Sequence, residues 1–121
     1  MNLPLKLTLA AVLLAPLPAL AHHSYAMFDM TKTVALTGSV VQFKWQNPHS
    51  WIEIDVPVSG KTERWAIEAT APANLVQEGW KRTSLRPGDS VTIKIHPLRD
   101  GSKGGSLAGA QLADGSKLGQ F

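Results

Sequence analysis

The sequence contains no cysteine among its 121 residues. The fold therefore has no disulfide to support its core, and a metal site in it would have to use histidine, aspartate or glutamate side chains. The chain also has little excess of charge of either sign. Its 12 lysines and arginines outnumber its 9 aspartates and glutamates by three, which gives a net charge of +3. This mild balance indicates no dedicated polyanion partner, so we expect no binding of nucleic acid.

Sequence motifs that mark common enzyme classes are missing. There is no H-E-x-x-H pair for a zinc hydrolase and no G-x-S-x-G nucleophile turn. The glycine-rich stretch at residues 101–105 lacks the spacing of a phosphate-binding loop, and we interpret it as a flexible hairpin. The sequence therefore predicts no catalytic residues, and an enzyme is the weakest interpretation.

The first 21 residues have the pattern of a cleaved secretory signal peptide. Lys6 supplies a positive charge, residues 7–14 are almost wholly apolar, and Ala19-Leu20-Ala21 is a small-residue cleavage site. The alternatives are cleavage after Ala19 and an uncleaved anchor. The apolar run is shorter than the roughly 20 residues that a membrane-spanning helix needs, which argues against an anchor.

Cleavage would leave residues 22–121 as a single domain, with residues 22–32 as an N-terminal segment able to fold back on it. No second apolar run is long enough to span a bilayer, so we expect no transmembrane anchor after cleavage. The expected location is the periplasm or the exterior of the cell.

The rest of the chain alternates between period-two apolar runs and turn signals. These runs predict strands near residues 33–45, 51–58, 63–69, 90–96 and 107–112, with a short helix at 73–78 that Thr70 caps. An all-β chain with this order of elements matches a small five-stranded OB-fold-like barrel with one short helix. A small β-sandwich is the alternative, although sandwiches usually have about seven strands.

Three residues are predicted to shape this fold. Apolar residues of the first strand lie at even positions up to Leu36 and at odd positions from Val41, so the strand needs a bulge between them. Gly38 suits that bend. Pro48 ends the link to the second strand, and Gly88 follows proline in the order of a type II turn.

Several short motifs together resemble a known family. They are His22-His23-Ser24 with Phe28-Asp29, Gly38-Ser39-Val40, Asn47-Pro48-His49, Trp65-Ala66-Ile67-Glu68, Gly79-Trp80, Pro87-Gly88-Asp89 and Pro97-Leu98-Arg99-Asp100-Gly101. With these motifs the chain resembles the small bacterial exported proteins catalogued as domain of unknown function 6152. The resemblance covers the whole mature chain and implies export to the bacterial envelope, but it implies no catalytic residues.

A histidine at the mature N-terminus is the strongest chemical signal. The amine and imidazole of His22 can chelate one metal ion, and a further imidazole completes a three-nitrogen site of the kind that suits copper. His23, His49 and His96 are the candidates for that imidazole. We favour His49, because the preceding proline defines the turn that carries it. Zinc is the second choice, with a carboxylate such as Asp29 as ligand.

His22, His23 and His49 also have a plain structural interpretation. The pair at residues 22–23 can be a solvated tail, and the imidazole of His49 can simply satisfy main-chain groups of its turn.

The four tryptophans divide by strand phase. Trp45 and Trp65 fall on the inward phase and are predicted to pack in the core, and Trp80 follows the helix. Trp51 falls on the outward phase beside His49, where it can stack on a ligand or cover the end of the barrel.

Two function classes follow. The first is an exported envelope protein that binds copper through His22, with His49 and His23 as the other candidate ligands. The alternative is a non-catalytic interaction module that binds a small ligand, a peptide or a partner protein across the barrel face near Trp51.

Overall fold

A computed structural model describes residues 25–121. His22, His23 and the predicted signal peptide lie outside the described residues. The elements, in chain order, are a short 3-10 helix Tyr25–Met27, β1 Val34–Lys44, β2 Trp51–Val58, β3 Lys61–Glu68, α1 Pro72–Gln77, β4 Ser90–Pro97, β5 Gly104–Leu112 and β6 Lys117–Gly119.

The first five strands form a closed barrel. β1 pairs with β2 and β4, β2 pairs with β3, and β4 pairs with β5, all antiparallel. A parallel pairing of β3 with β5, from Ala66 opposite Gly104 to Glu68 opposite Ser106, closes the ring. This connectivity, with the helix between β3 and β4, confirms the predicted OB-fold-like barrel.

A short sixth strand was not predicted from the sequence. Residues 117–119 pair with 109–111 of β5, after a turn at residues 113–116. The turn signal was recognised, but three residues are too few for the period-two pattern to indicate a strand. β5 thus uses one edge twice, first for β3 and then for β6.

The barrel interior is filled by the inward residues of the alternating strands. Ile52 and Ile54 of β2, Ile67 of β3, and Ile93 and Ile95 of β4 are fully buried. Trp45 and Trp65 pack against this core as partly buried side chains, as their phase predicted. Trp80 is 1% exposed and closes the core beside the edge of the Phe43 ring.

The predicted bulge in β1 is present. Val40 pairs with Ile54 and Gln42 pairs with Glu53, so Val41 is the extra residue. An extra residue reverses the faces of the strand beyond it, which is why Leu36 and Val40 lie inward at even positions before the bulge.

The expected reason for Gly38 needs correction. The bulge lies at Val41, three residues later, so Gly38 does not form the bend. A Cβ atom at Gly38 would instead collide with the main-chain carbonyl oxygen of Asp55 on β2. Glycine is required there because the two backbones approach closely.

The turn before β4 agrees with the sequence. Gly88 has a φ of 90°, and the Asp89 amide donates to the Arg86 carbonyl at 3.0 Å, as in a type II turn with Pro87 at its second position.

The predicted helix cap is wrong. α1 has Ala71 as its N-cap residue, without a side-chain capping bond. Thr70 lies one residue too early in the chain, and its hydroxyl instead accepts a hydrogen bond from the side-chain amide of Asn74 at 2.9 Å.

In the region spanning residues 25–121, no helix is long and apolar enough to cross a membrane.

Candidate functional site

A cleft of about 760 Å³ lies on the outer side of the barrel, where β3, β4 and β5 meet. Its walls come from the N-terminal segment, the turn before β2, α1 and the C-terminal segment. The lining residues are Tyr25, Phe28, Met30, His49, Glu68, Ala69, Thr70, Asn74, Leu75, Gln77, Glu78, His96, Ser106, Leu107, Ala108, Gly119 and Gln120.

Main-chain hydrogen bonds hold the N-terminal segment, residues 25–32, against the end of β4. The Asp29 amide donates to the Pro97 carbonyl at 2.8 Å, and the Arg99 amide donates to the Met27 carbonyl at 3.0 Å. Phe28, which is buried, forms a β-bridge with Leu98. These contacts place the start of the described chain at the cleft wall.

The Asp29 carboxylate stabilises the same segment internally. The Thr31 hydroxyl donates to it at 2.6 Å, and this hydrogen bond is the main reason why the pKa of Asp29 lies below its ordinary value. The positive charges of Arg99 and Lys32 lower the pKa further. Asp29 is not among the cleft-lining residues, so the structure does not bring this expected zinc ligand to His49.

A buried serine anchors the turn that carries His49. Ser50 is fully buried, and its main chain exchanges hydrogen bonds with Thr70 and Ala69 at 3.2 and 2.8 Å. Its hydroxyl also bonds the main chain of Gln46 at 3.3 Å, which closes the turn around Pro48. The Asn47–Pro48 peptide bond within this turn is cis.

The imidazole of His49 faces the carboxylate of Glu68. Its Nδ1 lies 3.4 Å from Oε1 of Glu68, and the two side chains are 31% and 8% exposed. A proton on Nδ1 interacts favourably with the carboxylate, and this contact orients the ring.

The second histidine of the cleft is held in a similar way. Nδ1 of His96 donates to the main-chain carbonyl of Lys32 at 2.8 Å, because a carbonyl oxygen can only accept. His96 lies on β4 and Lys32 in the N-terminal segment, so this hydrogen bond also joins two walls of the cleft.

The charges around the cleft favour a cation. Among the cleft-lining residues of the described chain there are two glutamates, Glu68 and Glu78, and no lysine or arginine. The chain as a whole carries a net positive charge. The absence of basic side chains from this surface therefore makes it more negative than its surroundings.

The sequence-predicted site residues are partly brought together. His49 lines the cleft, and so do His96 and Glu68. The sequence pattern placed Glu68 only on the outward face of its strand and did not indicate it as a site residue. Trp51 is half-buried at the start of β2 and is not among the cleft-lining residues.

Metal-ligand geometry within the described residues is incomplete. Between residues 25 and 121, no cluster of three or more histidine, aspartate or glutamate side chains is arranged to hold a metal ion.

The strand connectivity defines a small OB-type β-barrel with a histidine-lined cleft on its side. The family of unknown function DUF6152 matches residues 10–108, and the chain belongs to this family.

Among solved structures, the mitochondrial single-stranded DNA-binding protein Rim1 of S. cerevisiae is similar at 18% identity and a TM-score of 0.47, over 74% of this chain and 88% of that chain. No curated protein matches the sequence.

Proposed function

We propose that this protein is an exported bacterial envelope protein that binds one copper ion in the cleft, through the amine and imidazole of His22 and the imidazole of His49. One observation carries the proposal: a buried carboxylate, that of Glu68, lies 3.4 Å from Nδ1 of His49. Histidines that ligate metals commonly donate their other ring N–H to a carboxylate or carbonyl, which orients the ring and raises its basicity.

The covalent chain brings His22 within reach of this cleft. Tyr25 lines the cleft, and His22 precedes it by three positions in the chain. At roughly 3.3–3.6 Å per residue, the Cα atoms of these two residues are at most about 11 Å apart. Cleavage after Ala21 would therefore generate a free amine on a residue tethered to the cleft wall through Tyr25.

The ligand chemistry favours copper. An α-amine has an ordinary pKa of about 7.7–8.0, so it gives up its proton to a metal at modest cost near neutral pH. Imidazole and amine nitrogens suit Cu(II), which has the highest affinity in the divalent first-row series. The two glutamates that line the cleft favour Cu(I) and Cu(II) alike, because both ions are cations.

The direct test is calorimetric titration of the exported protein with Cu(II). We expect one ion per chain, with binding weakened sharply when one residue precedes His22, because the extension separates the free amine from the imidazole. His49→Ala should weaken binding as well. Unchanged affinity in either variant would refute the chelate.

The alternative function is a non-catalytic module that binds a small ligand in this cleft. One observation favours it, because a volume of about 760 Å³ lies within the range of small-molecule sites, roughly 300–1,000 Å³. A screen of small organic cations by thermal shift separates the two functions. A hit whose effect persists with an extended N-terminus and without copper would support the alternative.

A further inference from the structure

Two acidic side chains supply charge to the cleft. Within residues 25–121, the lining includes Glu68 and Glu78 but no lysine or arginine. Glu68 ends β3, whereas Glu78 is the C-cap residue of α1, so the two carboxylates belong to different walls. Imidazoles also line the cleft, and an imidazole is ordinarily neutral above about pH 6.5. A ligand that matches this lining therefore carries positive charge.

Burial strengthens the attraction between Glu68 and a cation in the cleft. The side chain is only 8% exposed, so little water screens its carboxylate. Nδ1 of His49 already lies 3.4 Å from one carboxylate oxygen, but a carboxylate has about four lone-pair positions and accepts several hydrogen bonds. Glu68 can therefore hold the His49 ring and an ammonium group of a ligand together.

Asn74 adds a neutral hydrogen-bond acceptor to the helix wall of the cleft. Its side-chain N–H donates to the Thr70 hydroxyl at 2.9 Å, which orients the amide group. The amide oxygen of Asn74 can then accept a hydrogen bond from a ligand. An ammonium group has N–H donors and no acceptor, so carboxylates and amide oxygens together suit it.

Apolar surface adjoins these polar groups. Tyr25 and Met30 line the cleft and are 62% and 46% exposed, and Leu107 lines it from β5. A methionine side chain adapts to irregular shapes, and the ring of a tyrosine offers a broad apolar face. The cleft thus has acceptors for charged groups and apolar contacts for a hydrocarbon chain.

The volume of the cleft, about 760 Å³, is much larger than a simple ion and falls within the range of small-molecule sites, roughly 300–1,000 Å³. We infer that the cleft binds a linear aliphatic polyamine, in which stretches of methylene groups separate ammonium groups. Glu68 and Glu78 bind the ammonium groups, and Tyr25 and Met30 pack against the methylene groups. This inference rests on the small-ligand alternative under the proposed function, and it requires neither copper nor any residue before Tyr25.

The test is calorimetric titration of the metal-free exported protein with spermidine, at low salt and about pH 8, where imidazoles are ordinarily neutral. We expect one spermidine per chain. Glu78→Gln should weaken binding by roughly 10-fold, because it removes a charge-assisted hydrogen bond. Glu78 is exposed at the end of α1, so this substitution should preserve the fold.

Glu53→Gln is the matched control for Glu78→Gln. It removes the same charge from a carboxylate that contacts Lys44 and is not among the cleft-lining residues, so it should bind spermidine like the parent. An equal loss of affinity in both variants would show that spermidine responds only to the net charge of the chain, and would refute the site.

Two further measurements do not depend on a substitution. Triethylene glycol is a neutral chain of similar length and should not bind; binding as tight as that of spermidine would overturn the role of charge. Amide NMR shifts caused by spermidine should concentrate at cleft residues such as Asn74, Ser106 and Gln120. Shifts confined to acidic residues outside the cleft would refute the location.

The outcomes separate this inference from the copper proposal, in which Glu78 has no part. If spermidine binds as expected while Cu(II) does not, the polyamine site stands and the copper proposal fails. If Cu(II) binding responds to the N-terminal extension and to His49→Ala but the parent binds no spermidine, the polyamine site is refuted and the copper proposal stands.

Discussion

Nδ1 of His49 lies 3.4 Å from Oε1 of Glu68 because both residues stand at the open end of the β2–β3 hairpin. Trp51, the first residue of β2, pairs with Glu68, the last residue of β3. The turn anchored by Ser50 then directs His49 back over this end. The hairpin thus joins an imidazole and a buried carboxylate that are 19 positions apart in the chain.

Glu68→Gln tests the role of this carboxylate. The substitution keeps the side-chain volume and removes the charge beside Nδ1, so we expect Cu(II) affinity to fall by roughly 10-fold in calorimetric titration. Glu53→Gln is the matched control, since Glu53 is an outward carboxylate of β2 that contacts Lys44 instead. Equal affinities in the two variants would contradict an orienting role for Glu68.

Ser50→Ala tests the anchoring of the turn. It removes the hydroxyl that bonds the main chain of Gln46, and the expected loss of stability is about 1 kcal/mol. Copper affinity should fall too, because the turn that carries His49 is less well held. Chemical denaturation and calorimetric titration provide the two measurements. A destabilised variant that binds copper like the parent would show that the turn does not position the ligand.

Gly38→Val tests the close approach of β1 to β2. The added side chain would collide with the Asp55 carbonyl, and crowding of this kind typically costs about 1–3 kcal/mol. We therefore expect a clearly lower melting temperature. Ala35→Val is the control at an exposed position of the same strand and should change stability by no more than about 0.5 kcal/mol. Equal melting temperatures would contradict the steric account.

Thr31→Val tests the hydrogen bond to Asp29 in the N-terminal segment. Because the folded-state pKa of Asp29 is lowered, its stabilisation is fully present above the unfolded pKa and is lost as the pH falls through the folded value. Without the Thr31 hydroxyl the folded-state pKa should rise towards the unfolded value, so the loss should be smaller and should be complete at a higher pH. Carboxyl-carbon NMR titration of Asp29 measures the shift. Thr33→Val, at a nearby exposed threonine, should leave the titration unchanged.

Export tests the N-terminal prediction. Signal peptidase prefers small residues such as Ala19 and Ala21 before the cut, so the exported protein should begin at His22. Mass spectrometry of the intact protein from the periplasm measures this directly. A first residue of Leu20 or Met1 would contradict both the cleavage site and the copper chelate built on it.

The barrel strands and the bulge were predictable from local pattern. Period-two alternation is set by backbone geometry within each strand, so Ile52, Ile54, Val91 and Ile93 indicated their faces without knowledge of their neighbours. The change of phase before Val41 indicated an extra residue for the same reason. The reason for Gly38 was not predictable, because it depends on how closely a second strand approaches.

Local sequence by itself determined the β-strands, the glycine turn at Gly88, the lack of disulfides and the presence of a histidine directly after a signal-like segment. These features depend on residues that are neighbours along the chain. Tertiary structure alone decided that Glu68 lies beside His49, that the Lys32 carbonyl orients His96, and that both rings line one cleft. Such contacts arise from strand pairing and barrel closure, which join residues far apart in the sequence and leave no periodic signal in it.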